Sequence, residues 1–464
     1  MTQRIPATAS PGRLEAFAQG FDDLFAKRSQ REGFRRYLEG LLLPLERNKT
    51  LTGLANAEPV VGAQHPQAQK LQWFLSESTW DAKQVNQRRL ALLERESQTR
   101  TTEAGALIID ETGDRKWGHK TAHVGRQYLS SLGKIDNGVV SVETVWADEQ
   151  VYYPVSLAPY TPSHWFAGGK SDPQFRTKPQ IALELVQEAR AQGLTFRAVV
   201  ADSFYGENEA LKAGLFDLGL GYVMALKPSH SWWHREGTPG SLWELAQAAT
   251  WQPKKPGAWQ AVKGRFRDGH QETWWALEIE GGPYGTRQAE RAVVVTTDPL
   301  NLPPESTWYL TSNLPAPGTA RARQSSLPAA DLSELVYLYG LRIWVEQTYK
   351  QVKQHLGWAQ YQVRSDRAMQ RHWQLVCCAF SFCWWALQHE ALALDPAQQP
   401  QPGDDPATHA RSEEKKTASH ITAPDQLVDG TATRTGLART LTHATALLVC
   451  LVEQAPTCPA ASVA

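Results

Sequence analysis

Cysteine is scarce: five residues in 464, all late, at Cys377, Cys378, Cys383, Cys450 and Cys458, with no C-x-x-C pair. That excludes a disulfide framework and the common zinc-finger patterns, and it fits buried thiols in a reducing compartment. A zinc site from Cys377, Cys378, Cys383 and His372 or His389 matches none of the usual spacings. Net charge is absent too, because 48 Lys and Arg balance 48 Asp and Glu, so the total gives no hint of a polyanionic partner. Basic residues do gather locally, between Lys27 and Lys49, Lys254 and Arg267, and Arg342 and Arg371. Such patches can meet phosphates even when the total cancels. The N-terminal residues contain no apolar core for a signal peptide, and the longest apolar run, Leu375 to Leu387, falls short of the roughly 20 residues of a membrane span. No G-x-S-x-G elbow, phosphate loop or internal repeat is found. These absences describe a soluble, cytoplasmic protein with no membrane partner.

What the chain does contain changes in character along its length. Residues 1–100 read as a small all-α domain with helices over 13–27, 33–46, 68–76 and 81–96, and the Arg31, Arg35 and Arg36 cluster suits DNA phosphates or an ordinary charged surface. From Gly105 an apolar run, Ala106-Leu-Ile-Ile109, ends in Asp110, which predicts a buried strand closed by a carboxylate. Gly138 to Trp146 and Val151 to Leu157 predict a hairpin, and Lys178 to Gln192 a helix stopped by Gly193. Phe196 to Ala201 predicts a second buried strand ending in Asp202, followed by a helix over Glu207 to Leu218 and a strand over Tyr222 to Leu226. Strands that first meander and then alternate with helices predict an α/β mixed sheet flanked by helices. Residues 101–227 and 328–395 form this core, interrupted by a β-rich insertion at 228–327. Residues 396–435 have little to bury and read as a linker, and 436–464 as a C-terminal helix and tail.

The stretch Tyr339-Gly-Leu-Arg342-Ile-Trp-Val-Glu346-Gln-Thr-Tyr-Lys350-Gln-Val-Lys353 predicts one amphipathic helix. Tyr339, Arg342, Glu346 and Lys353 fall within an arc of about 60°, with Leu341, Trp344, Val345 and Val352 on the other side. A solvated face with a Glu346–Lys350 pair is the plainer account of that stripe. Two strand-end aspartates plus a helix glutamate suggest more, since clustered carboxylates repel unless a cation joins them. Mg²⁺ or Mn²⁺ takes such oxygen ligands, and two ions about 3.5–4 Å apart suit phosphodiester hydrolysis and transfer. Glu111 follows Asp110 but points the other way on a strand. Asp114, Asp136, Glu143 and Glu207 read as supporting or surface groups.

Tyr339, two residues, Arg342, three residues, Glu346, six residues, Lys353 is a spacing that resembles the DDE transposases of bacterial insertion sequences. The resemblance is to the branch with a Y-(2)-R-(3)-E-(6)-K signature and a β insertion before its last acid. Leu-Ile-Ile-Asp110-Glu-Thr-Gly, Val-Val-Ala-Asp202-Ser-Phe-Tyr-Gly-Glu and Gly-Arg126-Gln-Tyr-Leu-Ser-Ser-Leu-Gly carry it further, over roughly residues 30 to 390. It implies an RNase H-like core, with Asp110, Asp202 and Glu346 as catalytic ligands of two Mg²⁺ or Mn²⁺ ions. It implies DNA contacts from Tyr339, Arg342 and Lys353, with His119, Lys120 and Arg126 as candidates along the DNA path. Relatives stack a flipped base on a tryptophan of the insertion. Trp308 is the nearest match, but its spacing is one residue short, which on a strand turns the side chain over and favours a core aromatic. The implied partners are terminal inverted-repeat DNA, target DNA and a second copy of the chain, at the nucleoid. Another RNase H-fold nuclease such as a resolvase, or an inactive DNA-binding derivative, is the alternative.

Overall fold

The computed structural model describes residues 10–391 and 460–461, apart from residue 11 and the segments 44–47, 58–61, 234–238, 266–270 and 284–288. The linker and C-terminal helix expected over 396–464 fall outside the described residues, the pair 460–461 excepted. Helices α1 (Gly12–Gln19), α2 (Arg28–Leu42), α3 (Leu51–Leu54), α4 (Pro66–Ser76) and α5 (Ala82–Arg95) come first. They pack on the long final helix α13 (Asp366–Ala391), with Phe17, Phe34, Leu38, Phe74 and Leu90 in the same apolar core as Trp373, Phe380 and Phe382. Arg31 and Arg35 are buried in this packing, each only 3% exposed. Arg35 is held by Glu15 at 2.7 Å and Asp22 at 2.6 Å, and Arg31 donates to the Phe25 carbonyl at 2.8 Å. Those two arginines therefore meet protein acceptors and not DNA phosphates, a correction of the charge-based reading.

The strands are β1 (Ala106–Arg115), β2 (Gly125–Leu129), β3 (Lys134–Ala147) and β4 (Tyr152–Tyr160). After α6 (Lys178–Ala191) come β5 (Ala198–Ala201), α7 (Ser203–Gly206), α8 (Glu209–Asp217) and β6 (Tyr222–Ala225). Thr177 and Gln180 cap α6 reciprocally, and Gly193 leaves it at φ 81°, a left-handed turn that suits glycine. β1 lies parallel to β5, β5 parallel to β6, and β3 antiparallel to β1. The result is a mixed sheet flanked by helices, consistent with an RNase H-like fold. β1 runs longer than the apolar run suggested, so Asp110 sits inside the strand instead of at its end. The continuation is polar but inward, since Thr112 and Asp114 are buried against their surroundings. β2, short and polar, was not expected.

The insertion contains β7 (Ser231–Trp233), β8 (Pro239–Ser241), α9 (Leu242–Ala248), β9 (Gln260–Arg265), β10 (Gln271–Ile279), β11 (Gly282–Pro283), β12 (Arg291–Thr296) and β13 (Thr307–Ser312). β13 pairs with β6 through Leu310–Ala225, Thr311–Met224 and Ser312–Val223, so β9, β10, β12 and β13 extend the core sheet itself. Trp232, Leu242, Trp259, Leu277, Val294 and Tyr309 form an apolar cluster of their own on this side. A buried polar network fastens the junction. Lys212 on α8 lies 3.2 Å from Glu290, whose carboxylate accepts from Tyr222 and Thr311 hydroxyls, each at 2.7 Å.

Helix α10 (Ala320–Gln324) leads to α11 (Leu332–Gly340) and α12 (Ile343–Gln354). The single helix expected over 339–353 is thus two, joined at Leu341 and Arg342. Both joint residues keep right-handed helical angles, and bonds such as Val345 N–H to the Arg342 carbonyl at 3.1 Å skip only three residues. The joint is a tightened turn, so Tyr339, Arg342 and Glu346 stay on one side. Among the described residues no helix is long and apolar enough to cross a membrane.

Candidate active site

Alternation along β1 turns Asp110, Thr112 and Asp114 to one face of the sheet, and α12 lies against that face. Asp110 is buried; one of its oxygens accepts from the Glu111 backbone N–H at 2.8 Å and the other from Arg342 Nη2 at 3.1 Å. Arg342 Nη1 reaches Glu346 Oε1 at 3.2 Å. One guanidinium therefore bridges the first and third acids of the sequence pattern. Asp202 follows β5 and caps α7, accepting from the N–H groups of Phe204 at 3.0 Å and Tyr205 at 3.4 Å. The turn must sit close to β6, because a Cβ on Gly206 would lie 1.9 Å from the Ala225 carbonyl oxygen.

The charges interact. Burial pushes the Asp110 carboxyl up to about 7; the Arg342 charge and the Glu111 backbone N–H oppose that rise, and the Asp202 and Glu111 charges add to it. Burial works against the charge on Arg342, but Asp110, Tyr339, Asp202 and Glu346 outweigh it and hold the guanidinium protonated. Tyr339 is pushed up to about 12 by burial, within reach of the same carboxylates. Asp110, Asp202, Glu346, Arg342 and Tyr339 thus share one electrostatic neighbourhood.

Other residues singled out from the sequence lie apart. Lys353 Nζ sits 2.8 Å from Asp114 and 3.4 Å from the Gly113 carbonyl, about two helical turns past Glu346. Trp308 is half-buried on β13, its ring 5.1 Å from that of Tyr339 and 4.5 Å from that of Trp274. It is therefore packed among aromatics beside the site. Arg126 is exposed on β2, opposite Asn137, away from the acids. The described cysteines, Cys377, Cys378 and Cys383, are buried along α13.

Two supports stand around these acids, the first unread in the sequence and the second named there only as a supporting or surface group. Glu111, on the opposite face from Asp110, accepts from the Tyr205 hydroxyl at 2.9 Å and pairs closely with Lys178 at the start of α6. Tyr205 also donates its backbone N–H to Asp202, so the Glu111–Tyr205 bond ties the strand carrying Asp110 to the turn carrying Asp202. Its only sequence signal is an acid next to an acid and a tyrosine three residues past another. If Asp110 and Asp202 hold the cations that the family resemblance implies, Tyr205→Phe is expected to slow DNA cleavage about tenfold, the lower range for loss of a group that positions a metal ligand. A melting temperature lowered by no more than a few degrees would accompany it, and an unchanged cleavage rate would remove the tie from the active site. The second support is Glu143, which faces Asp110 across the β1–β3 pair. It is fully buried and accepts from the Ser141 hydroxyl at 2.7 Å, and burial pushes its carboxyl up to about 8.

Three carboxylates and no sulfur or imidazole make a donor set for hard divalent cations. As they stand, no three His, Cys, Asp or Glu side chains among the described residues converge closely enough to hold an ion, since Arg342 occupies the space between Asp110 and Glu346. Glu346 is 60% exposed in its side chain, its carboxylate held by Arg342, so the donor chemistry of the residues present fits such a group.

The sequence profile of the DDE superfamily endonucleases matches residues 17–294, which include Asp110 and Asp202. A curated relative, the probable transposase for insertion sequence element IS701 of Microchaete diplosiphon, is 32% identical over 364 residues, covering 78% of this chain and 85% of its own length.

Proposed function

Because the chain belongs to the DDE superfamily of endonucleases and is a transposase of the insertion-sequence type, we propose that it binds the ends of its element, cuts them and joins them to target DNA. Water attacks the end phosphodiester, leaving a 5′-phosphate and a free 3′-hydroxyl; that hydroxyl then attacks a target phosphodiester, forming the new link and releasing the target strand's own 3′-hydroxyl. The observation that carries this reading is Arg342 bridging Asp110 and Glu346 beside Asp202.

Asp110, Asp202 and Glu346 would hold two Mg²⁺ or Mn²⁺ ions, which supply charge for the phosphate in its transition state and lower the pKa of attacking water. On release from the acids, the Arg342 guanidinium has paired donors suited to two phosphate oxygens. Tyr339 keeps its proton at neutral pH and can donate to the same phosphate. Lys353 contacts the backbone only after leaving Asp114, and Trp308, packed between Tyr339 and Trp274, would have to leave that packing to stack on a base. Two ends must be cut together, so the active form is a homodimer on DNA.

The test is incubation of duplex carrying the element's terminal inverted repeat with the protein and Mg²⁺ or Mn²⁺. Nicking at the repeat end, joined products with a target plasmid and loss of both on chelation are expected. Cleavage restricted to branched junctions without joined product would make the protein a resolvase, and binding without cleavage an inactive derivative.

A further inference from the structure

The outer halves of β2 and β3 form a two-stranded ribbon whose tip, residues 130–135, is exposed throughout. Its surface is unusually apolar. Trp117 is 82% exposed, Ile135 61%, Tyr128 54% and Leu132 41%, a concentration that marks an interaction surface. The ribbon is firmly seated, because buried Leu129 packs over Gly113 and Gly138 so closely that a Cβ on either would meet it within 2.8 Å. Asn137 donates to the carbonyls of Lys116 at 2.5 Å and Gly118 at 3.1 Å, which fixes the loop presenting Trp117.

Strand register shows which way this surface looks. Glu143 pairs with Asp110, and Ile135 precedes Glu143 on β3 by an even number of residues, with no irregularity between them. Ile135, its cross-strand partner Tyr128 and Arg126 therefore face the same side of the sheet as Asp110. Asp136 faces the other side, paired with Arg115 at 3.3 Å and Lys134 at 4.0 Å. The exposed side chains of Arg126 and Lys134 flank Tyr128 and Ile135 along the ribbon, while on the Asp136 face the Arg115 guanidinium lies 4.0 Å from the centre of the Trp117 ring.

We propose that this ribbon is a second contact for duplex DNA, entering a groove of the same duplex that is cut at the acids. The claim rests on the reading of Asp110, Asp202 and Glu346 as the place of cleavage. A two-stranded ribbon fits the major groove, and apolar wedges flanked by cations bind and kink DNA from the minor groove. A second protein copy is the poorer occupant, because across a twofold axis the cations would face their own equivalents. The eight residue steps along β3 from Ile135 to Glu143 span about 26 Å. With β3 lying along the duplex, at about 3.4 Å per base pair, this would put the contact about eight base pairs from the cut.

The experiment is a hydroxyl-radical footprint of the full-length protein on terminal-repeat duplex, with wild type and with Tyr128→Ala/Leu132→Ala/Ile135→Ala. Wild type should protect the cut position and a separate patch about eight base pairs away. The triple variant should lose the distant patch, keep protection at the cut and bind at least about tenfold more weakly, the loss of a little over 1.4 kcal/mol. Its melting temperature should be unchanged, since all three side chains are exposed. An identical footprint in the variant overturns the proposal, as does an unchanged footprint with a dimer that falls apart in sedimentation. If wild type protects no part of the element's ends, the reading of the function fails and the ribbon contact with it.

Discussion

Asp110→Asn, Asp202→Asn and Glu346→Gln each lower the rate of end cleavage by about a thousandfold or more, roughly 4 kcal/mol of transition-state stabilisation, while the protein still binds terminal-repeat DNA. The substitutions keep side-chain shape and remove one negative charge, so they take away the proposed cation ligands without opening a cavity. Binding should hold or tighten, because one fewer carboxylate then faces the phosphates. The three differ in their effect on folding. Asp110 is buried with its carboxyl pushed up to about 7, so an amide there relieves a buried charge above neutral pH. Asp202 caps α7, and asparagine caps nearly as well. Glu346 is mostly exposed and bonded to Arg342, so Glu346→Gln leaves stability almost untouched. Single-turnover cleavage, gel shifts and thermal melts separate these effects. Cleavage at the wild-type rate in any one variant would remove that acid from the site.

Glu143→Gln stabilises the metal-free protein at pH 8 relative to wild type by on the order of 4 kcal/mol and leaves it nearly unchanged at pH 4. Burial raises the folded-state pKa of Glu143 from 4.5 to about 8. Below about 4.5 both states carry the proton and the group is neutral in effect. As pH rises, only the unfolded chain releases it, so the folded state binds more protons and stability falls until the folded carboxyl also ionises near 8. Asp110 adds a fall of the same sign up to about 7, so the variant still slopes below that point and flattens above it. Denaturant midpoints from pH 4 to 8.5 measure this directly. A parallel pH profile in the two proteins would show that Glu143 is ionised in the folded state.

The two aspartates could be read because each follows a short apolar run, the mark of a strand buried on both faces. The grouping of Tyr339, Arg342 and Glu346 was readable from period alone, and the tightened turn at Leu341–Arg342 disturbs it little. Lys353 shows where period stops informing. It lies on the same arc as Glu346, but Asp114 on β1 takes its ammonium, and that partner is fixed by how α12 lies on the sheet. Charge counts failed for Arg31 and Arg35 for a similar reason, since Glu15 and Asp22 are remote in sequence and reach them only after α1 and α2 pack. The Tyr205–Glu111 bond and the placement of Glu143 depend on strand register, which no single segment encodes.

The pairing of β13 with β6 bears on any attempt to treat the insertion as a detachable module. Cutting out residues 228–327 would strip β6 of its outer neighbour and leave Val223 to Ala225 as a raw sheet margin, prone to recruit strands from other chains. It would also leave Lys212 buried without Glu290. The Ala225 carbonyl that presses on Gly206 lies on that margin, so fraying there would reach the turn that presents Asp202. A shortened or chimeric version would have to supply a replacement strand at this seam before its acids could be expected to line up.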